Sequence, residues 1–144
     1  MSGKICIGTA QFGLTYGITN TEGQVQQDQV KSLLLLAQQS NIDCLDTAQA
    51  YGNSEQILGV SLPPSSKFHI VSKIKSQQEK QSFSEKDLYV WERSFQNTCI
   101  NLRASKLGSF LLHSPNDLRK KGSHFLVDWL LGLKQRGLVD RLGI

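Results

Sequence analysis

Four side chains of the sequence could together move a proton. Asp46, Lys73 and His113 each come directly after an apolar stretch that predicts a β-strand. Tyr51 lies in the loop that follows Asp46, just before Gly52, which permits a sharp turn. A tyrosine with an ordinary pKa of about 10 is a weak acid at neutral pH, but a nearby ammonium stabilises its phenolate. These residue types therefore predict an acid–base site, in which a carboxylate holds the ammonium and an imidazole orients a substrate oxygen.

Each of these residues also has a structural interpretation. Taken singly, Asp46 can cap a turn, Lys73 can be a solvated strand end, and His113 is more often structural than catalytic. Tyr16 is an alternative to Tyr51 on spacing, and the choice of Tyr51 depends on the segment that follows Asp46. Neighbouring strands lie about 4.8 Å apart, and their carboxyl ends meet at one edge of a parallel sheet. Three polar residues at three such ends favour the functional interpretation.

The glycines after the first predicted strand do not make a recognisable phosphate loop. Residues 8–13 have the outline G-x-x-x-x-G, but Leu14 and Thr15 follow where a Walker A loop needs Lys and then Ser or Thr. No G-x-G-x-x-G follows that strand, so the Rossmann fingerprint is also missing. A nucleotide cofactor would have to be held in another way.

The elements that position these residues alternate between strands and helices. Strands are predicted at 5–9, 42–46, 68–73, 110–112 and 141–144, and helices at 26–40, 54–60, 84–102 and 124–136. The glycines at 8, 13 and 17 predict a long loop after the first strand. Trp91, Phe95 and Trp129 fall at helical positions and are predicted to lie in the core.

Strands separated by helices predict a parallel α/β sheet, and two folds fit it. Four βα units plus the start of strand five would make the 144 residues the N-terminal half of a (β/α)8 TIM barrel, a fold of about 250 residues. A complete doubly wound sheet of flavodoxin type fits the same length. We favour one half-barrel domain over residues 1–144, lacking its C-terminal half, because a last strand ending at Ile144 would leave an uncovered edge.

Composition excludes several classes of protein. The chain has 144 residues, 39% of them hydrophobic, and a formal net charge of +4, which predicts a folded domain. Its longest apolar run, residues 33–37, is far shorter than the roughly 20 residues of a membrane helix, and no signal-peptide pattern opens the sequence. We therefore expect a cytoplasmic protein that does not bind a membrane. No basic run exceeds residues 119–121, so a nucleic-acid partner is not predicted.

The cysteines predict neither a disulfide framework nor a zinc ribbon. Cys6, Cys44 and Cys99 are odd in number and show no Cys-x-x-Cys spacing. Reduced, buried thiols are the expectation from the sequence.

Five segments of the sequence occur in the order found in aldo-keto reductases. They are Gly8-Thr9-Ala10, Asp46-Thr47-Ala48-x-x-Tyr51-Gly52, Ser54-Glu55, Val71-Ser72-Lys73 and Leu112-His113. The segment around Tyr51 is the specific one, and the others corroborate it. The chain thus resembles the N-terminal half of an aldo-keto reductase. Residues 8–20 are also similar to a bacterial branch associated with sugar and surface-polysaccharide pathways.

The resemblance implies an NADPH-dependent oxidoreductase that reduces an aldehyde or a ketone to an alcohol without a metal. Tyr51 would donate a proton to the carbonyl oxygen, and Lys73 would make the phenol a better donor. Asp46 would pair with Lys73. His113 would orient the carbonyl group.

The resemblance also implies that only part of the cofactor site lies on this chain. Gly8, Thr9 and Ala10 would form the floor of that site. The groups that grip the nicotinamide, stack on its ring and hold the phosphates would all lie beyond Ile144. We therefore expect the isolated 144-residue chain to be inactive. The expectation of NADPH rather than NADH follows from the resemblance to the family alone.

Three hypotheses remain at this stage. The first is the reductase, with a small-molecule carbonyl substrate. The second is a catalytically silent half-barrel fragment whose open strand edges lead to self-association or to binding of a protein partner. The third is a complete flavodoxin-like binding domain. Under this hypothesis the order of the five motifs would be a coincidence.

Overall fold

The computed structural model describes residues 5–64 and 66–144, and in them a parallel sheet alternates with helices. The strands are β1 (Cys6–Gly8), β2 (Cys44–Asp46), β3 (His69–Ile74), β4 (Leu107–Leu112) and β5 (Val139–Gly143). The helices are α1 (Ala10–Gly13), α2 (Gln27–Gln39), α3 (Ser54–Ser61), α4 (Lys86–Leu102) and α5 (Ser123–Gln135), with a 3-10 helix at Pro115–Arg119. Each predicted strand and each of the four predicted helices is present, with ends shifted by a few residues.

The order of the strands decides between the two folds. The sheet runs β1-β2-β3-β4-β5, and every neighbouring pair is parallel. A doubly wound sheet reverses its strand order at a switch point, whereas a (β/α)8 barrel adds each strand beside the last. The chain is therefore the N-terminal half of a (β/α)8 barrel, and the flavodoxin-like alternative is wrong.

The register of the strands puts the polar strand ends on one face of the sheet. Asp46 pairs with Val71, and Lys73 pairs with Leu111 on β4. Because paired residues of parallel strands point the same way and side chains alternate along a strand, Asp46 and Lys73 share a face with His113. The other face carries residues such as Ile70, Ile74 and Phe110 into a core closed by the helices.

Aromatic side chains fill the core between β4, α4 and α5. The ring centroids of Phe95 and Phe110 lie 5.1 Å apart, edge to face, and those of Trp91 and Trp129 lie 5.8 Å apart. All four side chains are buried. Edge-to-face pairs add about 0.5–1.5 kcal/mol to the free energy of burial. The core positions predicted for Trp91, Phe95 and Trp129 agree with this packing.

The segment after β1 differs from the expected long loop. Residues Ala10–Gly13 form the single turn of α1, in which the amide of Leu14 donates to the carbonyl of Ala10 at 3.0 Å. Phe12 is buried in the core and fixes the turn there. Glycine spacing alone could not indicate this element, because the burial of Phe12 depends on α3 lying beside it.

The expectation of three reduced thiols is wrong in this structure. Cys6 and Cys44 form a disulfide, and Cys99 remains a free thiol. The two bonded residues occupy paired positions on β1 and β2, with their Cα atoms 4.5 Å apart. The sequence could not indicate this pairing, because it follows from the register of two strands that are separated by α2.

Among residues 5–64 and 66–144, no helix has both the length and the apolar character that crossing a bilayer requires.

Candidate active site

Asp46, Tyr51, Lys73 and His113 lie together at the carboxyl ends of β2, β3 and β4. Lys73 forms an ion pair with Asp46 and also donates to the carbonyl of Thr47 at 3.0 Å. The Lys73 Nζ lies 5.0 Å from the centroid of the Tyr51 ring. The Tyr51 and His113 rings meet edge to face, with centroids 5.7 Å apart. The four predicted catalytic residues are thus linked in a series, from Asp46 to Lys73, from Lys73 to Tyr51 and from Tyr51 to His113.

The sheet itself positions three of these residues. Asp46 is the last residue of β2, Lys73 lies near the end of β3, and His113 directly follows β4. The amide of His113 donates to the carbonyl of Ile74 at 3.3 Å, so the pairing of β3 with β4 extends to this residue. Their placement follows from the parallel register, and this is why the sequence could predict it.

The loop after β2 carries Tyr51 and is tied to the next strand. The amide of Gln49 donates to the carbonyl of Lys73 at 3.1 Å, and the amide of Tyr51 donates to the carbonyl of Ala48 at 3.0 Å. Gly52 has a φ of 55°, a conformation that glycine adopts without strain. This tight turn brings the phenol ring back over Lys73.

The Lys73 ammonium sits in a partly buried electrostatic environment. Its side chain is 15% exposed and that of Asp46 is 36% exposed. The Asp46 carboxylate and the Thr47 carbonyl accept from Nζ, and the Tyr51 ring lies within the range of a cation–π interaction. These contacts fix the position of the Lys73 Nζ beside the phenol ring.

His113 presents an unpaired ring nitrogen at the site. Its Nδ1 is buried and has no hydrogen-bond partner among the described residues. A buried polar group without a partner costs about 1–3 kcal/mol. The unpaired Nδ1 is enclosed by the protein, so a ligand would reach it only if the surrounding groups moved.

Gly8 and Thr9, two of the residues expected to contact the cofactor, differ in their surroundings. A side chain at Gly8 would meet nothing within 4 Å, so open space adjoins this backbone, which pairs with Asp46. The Thr9 hydroxyl, by contrast, is buried and donates to the carbonyl of Asp46 at 3.0 Å. It also lies 2.8 Å from the Ser54 hydroxyl. Thr9 therefore supports β2 with its side chain, and a cofactor could meet only the backbone here or Ala10.

A buried carboxyl, that of Glu55, lies behind the site and was not among the predicted site residues. Glu55 is 5% exposed and accepts from the Ser72 hydroxyl at 2.6 Å and from the Thr98 hydroxyl at 3.2 Å. Burial raises the pKa of Glu55, and the hydrogen bonds oppose that rise only in part. Ser72 precedes Lys73 and faces the helices, so this network fixes β3 from the side opposite the site. Glu55 stands in the recognised motif, but only the structure reveals its partners.

Gln49 is a second residue that the sequence did not single out. Its Nε2 donates to the Thr98 hydroxyl at 3.0 Å, and its Oε1 accepts from the Ser94 hydroxyl at 2.9 Å. The same Oε1 accepts from the amide of Lys75 at 3.0 Å. Gln49 thus ties the loop that carries Tyr51 to α4 and to the end of β3.

A buried ion pair joins the two loops that follow β3 and β4. Asp117 is buried, lies 2.8 Å from the Lys120 Nζ, and accepts from the amide of Gln77 at 3.1 Å. Lys120 also donates to the carbonyl of Gln77 at 2.6 Å. These contacts hold the loop beyond Lys73 against the loop beyond His113. The two loops therefore form one wall beside the site.

The described part of the chain contains no group of three His, Cys, Asp or Glu side chains that could bind a metal ion. The chemistry that the arrangement itself supports is proton transfer from a phenol, with an ammonium beside the ring and an imidazole opposite.

Comparison with known proteins gives a family match over almost the whole chain. The model of the aldo/keto reductase family matches residues 4–144. A search of curated proteins found no match.

Solved structures match the fold. A Pseudomonas aeruginosa protein described as an aldo-keto reductase is 27% identical with a TM-score of 0.78, covering 97% of this chain and 54% of that one. The aldo-keto reductase AKR11C1 of Bacillus halodurans, in its holo form, is 17% identical with a TM-score of 0.71, covering 98% and 45%. A variant of Gox0644 in complex with NADPH is 19% identical with a TM-score of 0.64, covering 97% and 44%. The chain spans about half the length of the structures it matches.

Proposed function

Since the chain belongs to the aldo/keto reductase family, we propose that it carries the acid–base site of an NADPH-dependent reductase of aldehydes or ketones. Tyr51 donates a proton to the carbonyl oxygen as the alcohol forms. Lys73 and Asp46 provide the charge that makes the phenol an effective donor. His113 binds the carbonyl oxygen and orients it toward Tyr51.

One observation carries this proposal: four titratable side chains from three strand ends and one turn form a connected cluster. The centroid of the Tyr51 ring lies 5.0 Å from the Lys73 Nζ and 5.7 Å from the centroid of the His113 ring, and Lys73 is paired with Asp46. A core histidine or a solvated lysine would not need this convergence. Active sites of parallel α/β barrels are found at this end of the strands.

The proton-transfer step depends on charge placed before the reaction begins. As the carbonyl oxygen gains negative charge, the phenol of Tyr51 transfers its proton and becomes a phenolate. The Lys73 ammonium stabilises that phenolate, and its ion pair with Asp46 holds it in place. Because these groups are already oriented, little reorganisation is needed in the transition state.

The residues present fit a nicotinamide cofactor beside this site. The backbone at Gly8 borders open space next to Asp46. A bound reduced nicotinamide supplies the hydride for the carbonyl carbon. The complex of Gox0644 with NADPH supports the choice of this cofactor. Gly8, Thr9 and Ala10 are the proposed contacts, with Thr9 acting through its backbone.

Replacing the proton donor tests the proposal. Tyr51→Phe keeps the ring and removes the hydroxyl, so kcat for carbonyl reduction is expected to fall by about 100-fold or more, the usual size of general acid catalysis. NADPH affinity should stay unchanged. The assay uses the protein in which further strands complete the barrel, and it follows NADPH absorbance with a panel of aldehydes and ketones. Tyr89→Phe, at an exposed position on α4, is the matched control. A Tyr51→Phe protein that turns over normally would refute the assignment.

A second candidate function follows from the sheet edges. β1 and β5 are the two edge strands, and Ile5 and Ile144 beside them are 62% and 70% exposed. Such edges favour pairing with further strands, either of a second copy or of a protein partner. In this case the 144-residue chain is a silent half-barrel. Titration of the chain with NADPH separates the two candidates. Binding is read from the nicotinamide emission and from the quenching of Trp91 and Trp129 fluorescence. Saturable binding favours the reductase, and its absence favours the half-barrel.

A further inference from the structure

We propose that Gln24 is a positioning residue for Tyr51, and that it acts through a contact between the first loop and the turn that carries the phenol. We call this contact the first-loop clamp and define it by Gly13, Gln24 and residues 51–53. The importance of Tyr51 for catalysis rests on the proposed function, whereas the clamp rests on the contacts below.

Tyr51 is held less directly than the other three residues of the site. Asp46, Lys73 and His113 are held by strands or by backbone pairing at strand ends. Tyr51 lies in a turn between β2 and α3, where its amide donates to the carbonyl of Ala48 and its carbonyl accepts from the amide of Ser54. Contacts on this turn therefore add to the support that Gln49 gives the loop.

The backbone of the first loop packs directly against the turn. A Cβ atom placed on Gly13 would lie 1.9 Å from the carbonyl oxygen of Tyr51 and 2.4 Å from the amide of Ser54. From the other side, a Cβ atom on Gly52 would lie 2.2 Å from the carbonyl oxygen of Gly13. The two chain segments touch through glycines, and no side chain could be inserted between them without moving the backbone.

Gln24 fastens this contact from the far end of the first loop. Its Nε2 donates to the carbonyl of Phe12 at 2.6 Å and to the Oδ1 of Asn53 at 2.9 Å. One amide nitrogen has two hydrogens, so both are used. Phe12 is anchored in the core, and Asn53 follows Gly52. Gln24 thus links a rigid point in α1 to the turn that carries Tyr51.

Within the described residues, the hydrogen bond of the Asn53 side chain is made to Gln24. Asn53 occupies the N-cap position of α3, yet its side chain makes no capping hydrogen bond. Its Oδ1 accepts from Gln24 instead. Asn53→Ala therefore removes one half of the clamp without removing a cap.

The clamp can be tested directly in the 144-residue chain by NMR of isotope-labelled tyrosine rings. The sequence has three tyrosines, Tyr16, Tyr51 and Tyr89, and the signal that disappears in Tyr51→Phe identifies Tyr51. Gln24→Ala is expected to shift and broaden the Tyr51 signal while the Tyr89 signal on α4 stays in place. Gln24→Glu keeps the shape but cannot donate, so it should have the same effect.

Matched variants decide between the clamp and a general disturbance of the loop. Asn53→Ala should reproduce the shift of the Tyr51 signal, whereas Thr21→Ala, in the same loop and outside the clamp, should not. The proposal is overturned if Gln24→Ala and Asn53→Ala leave the Tyr51 signal unmoved. It is also overturned if Thr21→Ala moves that signal equally.

Kinetics connect the clamp to catalysis. Misplacing a catalytic group by about 1 Å can lower a rate 100-fold, so Gln24→Ala should reduce kcat by up to about that factor with unchanged NADPH affinity. Thr21→Ala should retain full activity. The kcat measurements use the protein in which further strands complete the barrel, because the isolated 144-residue chain is expected to be inactive. If that completed protein reduces no carbonyl in its unaltered form, the proposed function is refuted, and the NMR result still decides the clamp. A normal kcat in Gln24→Ala, in an active protein, would overturn the positioning role.

Discussion

Glu55 is a carboxyl that folding buries at a cost. Its two oxygens accept from Ser72 and Thr98, but burial outweighs these bonds and raises its pKa above the ordinary 4.5. The charged form of this side chain therefore destabilises the folded state relative to the protonated form. Glu92 behaves in the opposite way, because the hydrogen bond from Arg136 lowers the pKa of its carboxyl.

This difference predicts how stability depends on pH. Between the unfolded pKa of Glu55 and its raised folded pKa, the folded state binds more protons, so the free energy of unfolding falls as pH rises. The variant Glu55→Gln has no carboxyl at this position and therefore no such fall in the free energy of unfolding. Between the two pKa values, the free energy of unfolding of this variant relative to the unaltered chain should rise with pH. Glu92→Gln should show the opposite trend, because a lowered pKa stabilises the folded state above the unfolded pKa. Urea unfolding at a series of pH values between 3 and 8 measures the free energy of unfolding of both variants. If the difference in that free energy between Glu55→Gln and the unaltered chain is the same at every pH, the expectation is contradicted.

At the scale of residues, the sequence predicts what depends on strand ends. Asp46, Lys73 and His113 could be found because each follows an apolar strand, and Tyr51 because of its motif. Glu55, Gln49 and Gln24 could not be found in the same way. Their roles depend on contacts with α4 or α1 across tens of residues, and a polar residue in a helix or loop is ordinarily solvated.

Helices α3 and α4 approach so closely at one point that only glycine fits. A Cβ atom on Gly59 would lie 2.0 Å from the carbonyl oxygen of Asn101 and 3.0 Å from the carbonyl carbons of Asn101 and Leu102. These are backbone atoms and cannot rotate away. The close approach also brings Thr98 near Glu55, so the network behind β3 depends on it.

Alanine at two helical glycines should have opposite effects. Gly59→Ala is expected to lower the free energy of unfolding by about 1–3 kcal/mol or more, because α3 must move away from α4. Gly132→Ala, in α5 with nothing within 4 Å of the new methyl group, should raise it by about 0.5–1 kcal/mol through helix propensity. Chemical denaturation of the two variants measures both changes. If both variants change the free energy of unfolding by the same amount and in the same direction, the contact between α3 and α4 does not limit the size of the residue at position 59.

At the scale of elements, hydrophobic periodicity predicted the fold because most strands and helices carry a continuous apolar pattern. The exceptions are short. α1 has one buried side chain, Phe12, and too few residues for any periodicity. The 3-10 helix at Pro115–Arg119 is stabilised by the tertiary contacts of Asp117 with Lys120 and Gln77. The start of β4 contains Gly108 and Ser109, which are weak strand formers, and its pairing with β5 extends the strand to Leu107.

At the scale of the whole molecule, sequential winding leaves two open strands. Among residues 5–64 and 66–144, β1 pairs only with β2 and β5 only with β4, so each presents backbone donors and acceptors along its outer edge. A closed barrel has no such edges. Further strands of a barrel would add at these two edges.

The open edges predict that the isolated 144-residue chain associates with itself. Light scattering over a range of concentrations should give a mass of at least a dimer, because edge pairing satisfies exposed backbone groups and covers apolar surface. Ile5→Lys places a charge beside β1 at a position that is 62% exposed, and it should reduce the measured mass. Ile18→Lys makes the same change in a fully exposed loop residue and should leave the mass unaltered. A chain that stays monomeric at high concentration contradicts edge pairing, and equal dissociation by both variants would assign the association to general surface hydrophobicity instead.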